Sequence, residues 1–291
     1  MDQIVHKFVE VNGVKIHLAE IGKESSPTVL FIHGFPEIWY SWRHQMIAVA
    51  GAGFRAISLD CRGYGLSDPP PNLDTFGFND IVNDILAIID SLAIDKIFIV
   101  AKDAGVRPAY VFTLRYPTRV TGVVGLGIPH TPFGRQRFLQ ELPEGFYINR
   151  WREDLSAYGA LYEKSGFHNS LKVPYRSLEE EYDIEDPVIK NPMLLIIGEK
   201  DYFLKFPGTE DFIKSGMVKQ FASDLEIEYL PEGGHFVQEQ FPDKASIVNR
   251  VSIRTTASAQ NGAIYRRERL LSKPSAFLKK LGLQVVLNDA A

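Results

Sequence analysis

The chain has 291 residues, of which 45% are hydrophobic and 23% charged, and its formal net charge is −4. This composition is typical of a soluble globular protein with one large core, and the negative balance argues against a general nucleic-acid binder. Cys61 is the single cysteine and cannot form an internal disulfide, and we see neither a secretory signal nor an apolar run long enough for stable membrane insertion, so we expect a cytoplasmic protein.

Hydrophobic patterns predict alternating strands and helices along most of the chain. Residues 5–20 alternate apolar and polar positions around Asn12-Gly13, which predicts a β-hairpin. Short apolar runs predict buried strands, and apolar residues at helical spacing predict the helices between them. The predicted strands are 28–33, 54–59, 97–101, 120–126, 193–198 and 225–230, and the predicted helices are 40–50, 80–92, 105–116 and 212–219. This alternation predicts a mostly parallel α/β sheet with right-handed crossovers.

Two segments interrupt this regular pattern. Residues 129–190 are rich in Tyr, Phe, Arg and Glu, and we interpret them as a helical cap inserted above the C-terminal edge of the sheet, where open α/β sheets bind ligands. We therefore expect the core to comprise residues 1–128 and 191–250. Residues 251–291 form an atypical basic tail, for which we expect partial disorder; a patch for an acidic partner or a membrane surface is the alternative.

The strand predicted at 97–101 leads into an aspartate flanked by small residues. Ala101 lies two positions before Asp103 and Gly105 two positions after it. Small residues at this spacing allow a sharp turn from strand into helix, which exposes one side chain above the sheet at the positive end of the helix. The chain contains no G-x-S-x-G motif, so its nucleophile position has a carboxylate in place of a serine.

Two further polar residues also follow predicted strands. Asp201 and His235 come after Asp103 in the order nucleophile, acid, histidine that α/β-hydrolases use. A lone aspartate after a strand is more often a helix cap, but the combined pattern favours a catalytic triad at one edge of the sheet.

These motifs resemble those of the soluble epoxide hydrolases of the α/β-hydrolase superfamily, particularly the plant-type enzymes. The resemblance covers roughly residues 5–245 and rests on motifs at 33–37, 39–43, 60–68, 103–105, 198–201 and 233–238. It implies conversion of an epoxide and water to a vicinal diol through an alkyl ester on Asp103, with no metal and no organic cofactor. The resemblance implies small apolar epoxides, including those of fatty acids, as the substrates, and the protein would be a monomer or a homodimer.

The resemblance also implies roles for individual residues. Tyr147 and Tyr175 would donate protons to the epoxide oxygen, and the backbone N–H groups of Phe35 and Ala104 would form an oxyanion hole. A cis peptide bond would precede Pro36. The residues implied in substrate binding are Phe35, Pro36, Trp39 and Phe236.

The chain departs from the family pattern at three places: the position after the nucleophile, the cap, and the segment after Ala245, where the family's closing helix is interrupted. Ala104 replaces the aromatic residue that usually follows the nucleophile, and Lys102 replaces the histidine before it, for which we expect a surface position or an indirect role. Tyr147 and Tyr175 are only 28 positions apart, which predicts a shortened cap. Two alternatives therefore stay open: a related Asp-nucleophile hydrolase such as a haloalkane dehalogenase, and a cap-truncated relative that binds a small ligand without turnover.

Overall fold

The computed structural model describes residues 3–72, 75–131 and 184–242. Eight strands form one sheet in the order β1-β2-β4-β3-β5-β6-β7-β8, with β1 and β2 antiparallel to their neighbours and the other strands parallel. The strands are β1 (Val5–Val11), β2 (Val14–Ile21), β3 (Thr28–Ile32), β4 (Arg55–Leu59), β5 (Ile97–Lys102), β6 (Val120–Leu126), β7 (Met193–Gly198) and β8 (Leu225–Leu230). The predicted fold class and hairpin are confirmed.

Helices lie between the parallel strands, as their hydrophobic spacing predicts. The α-helices in the described part of the chain are α1 (Arg43–Gly51), α2 (Phe78–Ser91), α3 (Val106–Arg115), α4 (Thr209–Lys214) and α5 (Val237–Gln240). None of these helices has the length and apolar character needed to cross a membrane.

The helix predicted at 212–219 is wrong in its extent. The structure has α4 at Thr209–Lys214 and a separate 3₁₀ turn at Met217–Gln220. Gly216 lies between them at φ 82°, a left-handed conformation that ends an α-helix. The glycine in the middle of the predicted segment was therefore a stop signal.

Side chains on the two faces of the sheet form two apolar clusters, one on each side. The residues of β5 lie at the centre, where Ile97, Ile99 and Val100 are fully buried. Burial of each such side chain contributes roughly 1.5–3 kcal/mol. The centre of the sheet is therefore a rigid base for the residues that follow its strands.

The strand register brings several loops to one edge of the sheet. At the C-terminal ends, Ile32 of β3 pairs with Ala101 of β5, and Gly198 of β7 pairs with Leu230 of β8. The loops that follow these four strands therefore begin at the same edge. They contain the residues of the candidate site.

Candidate active site

The turn after β5 places Asp103 in a conformation that is unusual for a residue with a side chain. Asp103 begins the 3₁₀ turn Asp103–Gly105, and its φ is 51°. A non-glycine residue in this region is strained by about 1–3 kcal/mol, and such strain is found mostly at functional sites. A Cβ at Gly105 would lie 2.3 Å from the carbonyl oxygen of His33, so the turn requires a glycine there.

Both oxygens of the Asp103 carboxylate have partners. The backbone N–H of Phe35 donates to Oδ1 at 3.0 Å, and Nε2 of His235 lies 3.0 Å from Oδ2. The Asp103 side chain is 17% exposed, so a small molecule can reach part of its carboxylate. Burial raises the pKa of Asp103, but the hydrogen bond with His235 and the positive charge of Lys102 outweigh it and hold the pKa well below its usual range.

The ring of His235 lies between two carboxylates. Its Nδ1 is 2.9 Å from Oδ2 and 3.0 Å from Oδ1 of Asp201, which also accepts the backbone N–H of Phe203 at 2.9 Å. Burial lowers the pKa of His235, but the hydrogen bonds with Asp103 and Asp201 outweigh it and raise the pKa to about 9. At neutral pH, Asp103 and His235 therefore form an ion pair. The structure thus brings together Asp103, Asp201 and His235, as the sequence predicts.

The loop after β3, which we call the oxyanion loop (residues 33–37), is fixed by its own polar groups. A cis peptide bond joins Phe35 and Pro36, as the family resemblance implies. The buried His33 ring contacts the carbonyl oxygen of Gly34 through Nδ1 at 2.8 Å and the backbone N–H of Cys61 through Nε2 at 3.0 Å. These contacts fit a neutral ring that donates from Nδ1, and burial lowers the pKa of His33. Ala104 directly follows Asp103 in the turn and lines the same cleft as Gly34 and Phe35.

Lys102 is fully buried, so the surface position considered from the sequence is wrong. Its ammonium donates to Oε2 of Glu37 at 2.9 Å and lies 4.0 Å from the centre of the Phe236 ring. Oε2 of Glu37 also accepts the backbone N–H of Gly34 at 3.2 Å, and Oε1 accepts Nε2 of Gln238 at 2.7 Å. Sequence analysis missed this cluster because its residues are far apart in the chain.

Aromatic side chains surround the histidine. The rings of Phe236 and Tyr202 lie 5.3 Å and 4.7 Å from the His235 ring, and both residues are partly exposed. Tyr202 was not predicted, although its position directly after Asp201 was a signal. The Trp39 ring packs against His6 of the β1–β2 hairpin, with a distance of 4.8 Å between ring centres. Its predicted role in substrate binding stays a prediction.

A small apolar cleft lies beside Ala104 and extends toward α2 and α3. Its wall contains the residue at which the family pattern has an aromatic side chain, so the small Ala104 leaves this space open. The described residues that line the cleft are His33, Gly34, Phe35, Cys61, Tyr64, Phe78, Ile81, Ala104, Gly105 and Pro108.

Two predicted site residues cannot be compared with this geometry. Tyr147 and Tyr175 lie outside the described residues, as do the predicted tail and most of the predicted cap. Across residues 3–72, 75–131 and 184–242, no group of three or more His, Cys, Asp or Glu side chains is placed to hold a metal ion.

Comparisons with known proteins show the family and the fold. A family profile described as the alpha/beta hydrolase fold matches residues 27–150. Epoxide hydrolase 1 of Siraitia grosvenorii is 30% identical over 305 aligned positions, which cover 84% of this chain and 96% of that protein. The chain belongs to the epoxide hydrolase family. The predicted family is thereby confirmed.

Other epoxide hydrolases match over different lengths. Epoxide hydrolase B of Mycobacterium tuberculosis is 37% identical over 145 residues, which cover 46% of this chain and 41% of that protein. The crystal structure of an epoxide hydrolase from Vigna radiata superposes with a TM-score of 0.75 at 28% identity, over 86% of this chain and 97% of that one. The similarity to the epoxide hydrolases therefore includes the arrangement of the sheet and helices.

Proposed function

We propose that this chain hydrolyses epoxides to vicinal diols through an alkyl ester on Asp103. The observation that supports the proposal most directly is the position of the Asp103 carboxylate, held between the N–H of Phe35 and the ring of His235. Membership of the epoxide hydrolase family supports the substrate class. A carboxylate is suited to this reaction because an epoxide carbon is electrophilic and can be attacked without prior removal of a proton.

In the first half-reaction, Oδ2 of Asp103 attacks one epoxide carbon and the bond from that carbon to the ring oxygen breaks. The hydrogen bond from Phe35 fixes Oδ1 as the future carbonyl oxygen of the ester. The departing oxygen needs a proton, and we assign its donors to Tyr147 and Tyr175, whose phenols have an ordinary pKa near 10. The product of this step is a neutral ester with a free hydroxyl on the neighbouring carbon.

In the second half-reaction, His235 takes a proton from a water molecule, which attacks Cγ of Asp103. The negative charge that develops on Oδ1 is stabilised by the N–H of Phe35, and we assign the second donor to the N–H of Ala104. When the Cγ–Oδ2 bond breaks, the leaving alkoxide takes the proton from His235. The diol leaves, the carboxylic acid of Asp103 gives its remaining proton to His235, and Asp103 is again a carboxylate with one oxygen derived from water.

Formation of the ester prepares the histidine for its role as a base. In the resting site, two carboxylates raise the pKa of His235 to about 9, so the ring is protonated at neutral pH. The ester removes the negative charge of Asp103, which is the stronger of these two influences. The pKa of His235 therefore falls only after the first step. The proton that the ring then releases restores the phenol that protonated the epoxide oxygen, and the neutral imidazole can act as the base.

We extend the proposal to substrate and location. The small cleft beside Ala104 is mostly apolar, which supports a small apolar epoxide as the substrate. A plant-type enzyme in the cytoplasm, as a monomer or a homodimer, remains our expectation from the sequence.

A single-turnover experiment in ¹⁸O-labelled water tests the proposal. Excess enzyme is mixed with a styrene-type epoxide, and the diol and the peptide that contains Asp103 are analysed by mass spectrometry. We expect the first turnover to place ¹⁸O in Asp103 and not in the diol. A matched Asp103→Ala variant is expected to make no diol.

Two results would contradict the ester mechanism. One is a diol that contains ¹⁸O while Asp103 remains unlabelled, which indicates direct attack by water. The other is the absence of both diol and labelled Asp103 from the folded wild-type protein. A parallel assay with a chloroalkane measures halide release, which would indicate the dehalogenase alternative.

A further inference from the structure

The buried Lys102 is not explained by the proposed reaction, which uses neither its charge nor its hydrogen bonds. Lys102 is the last residue of β5 and directly precedes Asp103. A lysine with no exposed surface requires a compensating partner, because an unpaired buried charge is strongly destabilising. Among the described residues, the only hydrogen-bond acceptor of its ammonium is Glu37, and the Phe236 ring provides a cation–π contact.

Glu37 connects Lys102 to both sides of the candidate site. Its carboxylate accepts hydrogen bonds from the oxyanion loop through the N–H of Gly34, and from Gln238 in the histidine segment (residues 233–240). The side chain of Glu37 is 9% exposed and that of Gln238 is buried, so these bonds lie largely out of water. Charge-assisted hydrogen bonds in such surroundings are strong and fix geometry.

The two connected segments hold opposite oxygens of Asp103. The oxyanion loop provides the N–H of Phe35 to Oδ1, and the histidine segment provides Nε2 of His235 to Oδ2. A change in the distance between the two segments would therefore misalign the two groups relative to the carboxylate. A displacement of about 1 Å at a reacting centre can cost a factor of roughly 100 in rate.

We propose that Lys102 is a positioning residue for the reaction at Asp103. Its ammonium holds the Glu37 carboxylate in place, and that carboxylate forms a hydrogen-bonded bridge that fixes the oxyanion loop and the histidine segment relative to each other. The inference rests on the proposed function, because it assigns Lys102 to the ester pathway. Its effect acts through Glu37 and through its charge, and not through contact with the substrate.

The charge of Lys102 acts in the direction that the reaction needs. It lowers the pKa of Asp103, which keeps the nucleophile ionised, and it lowers the pKa of His235, which favours the neutral base. The other ionisable groups that face this cluster are Glu37, Asp201 and the buried His33. Removal of the lysine is therefore expected to raise the pKa of His235.

The test compares four variants with the wild type. Lys102→Met removes the charge and keeps the length, Glu37→Gln weakens the bridge from the other side, and the double variant removes both charges. Lys200→Met is the matched control, because Lys200 also precedes a triad residue but forms an exposed ion pair with Glu232. The rates of ester formation and ester hydrolysis are measured separately, together with the NMR titration of His235 and the Tm.

We expect Lys102→Met to slow ester hydrolysis about tenfold or more, so that the ester accumulates, and to raise the titration midpoint of His235. Glu37→Gln is expected to slow hydrolysis in the same way, and the double variant to be less impaired than the product of the two single effects. Lys200→Met is expected to match the wild type.

The proposal is overturned if Lys102→Met lowers the Tm but leaves both the His235 midpoint and the ratio of the two rates unchanged, since that result indicates a purely structural role. If the double variant slows ester hydrolysis by the product of the two single effects, Lys102 and Glu37 act independently, and the role of Glu37 in the proposal is overturned. If Lys102→Met does not fold, the His235 midpoint and the ratio of the two rates are measured on Glu37→Gln, and unchanged values there would overturn the proposal. A wild type that forms no ester contradicts the proposed function instead, and the NMR titration still tests the effect of Lys102 on His235.

Discussion

The ion pair between Asp103 and His235 gives a direct prediction for the variant Asp103→Asn, which keeps the shape of the side chain and removes its charge. The pKa of His235 is raised from an ordinary value of 6.5 to about 9, which corresponds to about 3 kcal/mol in favour of the charged ring. Asp103 is the larger contributor, so its neutralisation should lower the pKa by one unit or more. The neutral fraction of the ring at pH 7 then rises from about 1% to roughly 10–25%.

The titration is followed by NMR on the Cε1 proton of His235. The chain has 7 histidines, and a His235→Gln variant identifies the relevant signal by its absence. We expect a midpoint near 9 in the wild type and a lower midpoint in Asp103→Asn, whose intact amide is checked by mass spectrometry. The reasoning is refuted if the two proteins titrate at the same pH, or if the wild-type midpoint lies near 6.5.

The same pair predicts a difference in stability with pH. Since the pKa of His235 is raised in the folded state, its contribution to stability is fully present below pH 6.5 and is lost as the pH rises through about 9. Urea denaturation should therefore show a larger loss of stability across this interval for the wild type than for Asp103→Asn. An equal loss in both proteins would show that the interaction between Asp103 and His235 does not cause the change in stability with pH.

Three further predictions concern packing around the site. Gly105→Ala should reduce the free energy of unfolding by about 1–3 kcal/mol in urea denaturation, because its new Cβ would lie 2.3 Å from a backbone oxygen. The control Gly51→Ala has open space around its new Cβ and should be neutral or slightly stabilising. Equal effects of the two substitutions would contradict the close approach at Gly105. Ala104→Phe should close the small apolar cleft and crowd the approach to Asp103, which lowers kcat/KM about tenfold or more for substrates with bulky substituents relative to small ones. An unchanged ratio of the two kcat/KM values would show that substrate substituents do not lie near Ala104. Burial raises the pKa of the Cys61 thiol, so alkylating reagents should modify it only after unfolding, and rapid labelling of the native protein would disprove this.

The position of the triad could be predicted from the sequence because it depends on strand ends. Asp103, Asp201 and His235 follow β5, β7 and β8, and parallel strands end at the same edge of the sheet. The apolar runs that define these strands are local signals, and the register of the sheet then determines where the loops begin. The small residues around Asp103 were a second local signal, which the close approach at Gly105 explains.

The cluster around Lys102 could not be predicted in the same way. Whether a lysine at the end of a strand is exposed or buried depends on its partner, and Glu37 is 65 positions away in the chain. The same limitation applies to Trp39, whose neighbours on the β1–β2 hairpin lie more than twenty positions before it. Local patterns identify elements and their ends, whereas side-chain partners across the sheet depend on the complete fold.

The histidine segment has a consequence for the order in which the protein folds. Besides the bond from Gln238 to Glu37, its backbone carbonyl at Gln238 accepts Nε2 of Gln45 at 2.8 Å, and Glu239 forms two hydrogen bonds with Arg43 at 2.6 and 2.9 Å. These contacts join residues 193 to 201 positions apart, and contacts of such long range form late. The first half of the chain can build the centre of the sheet during synthesis, but the site is complete only after the histidine segment has docked against it. Recovery of activity would therefore report the last step of folding, later than recovery of secondary structure.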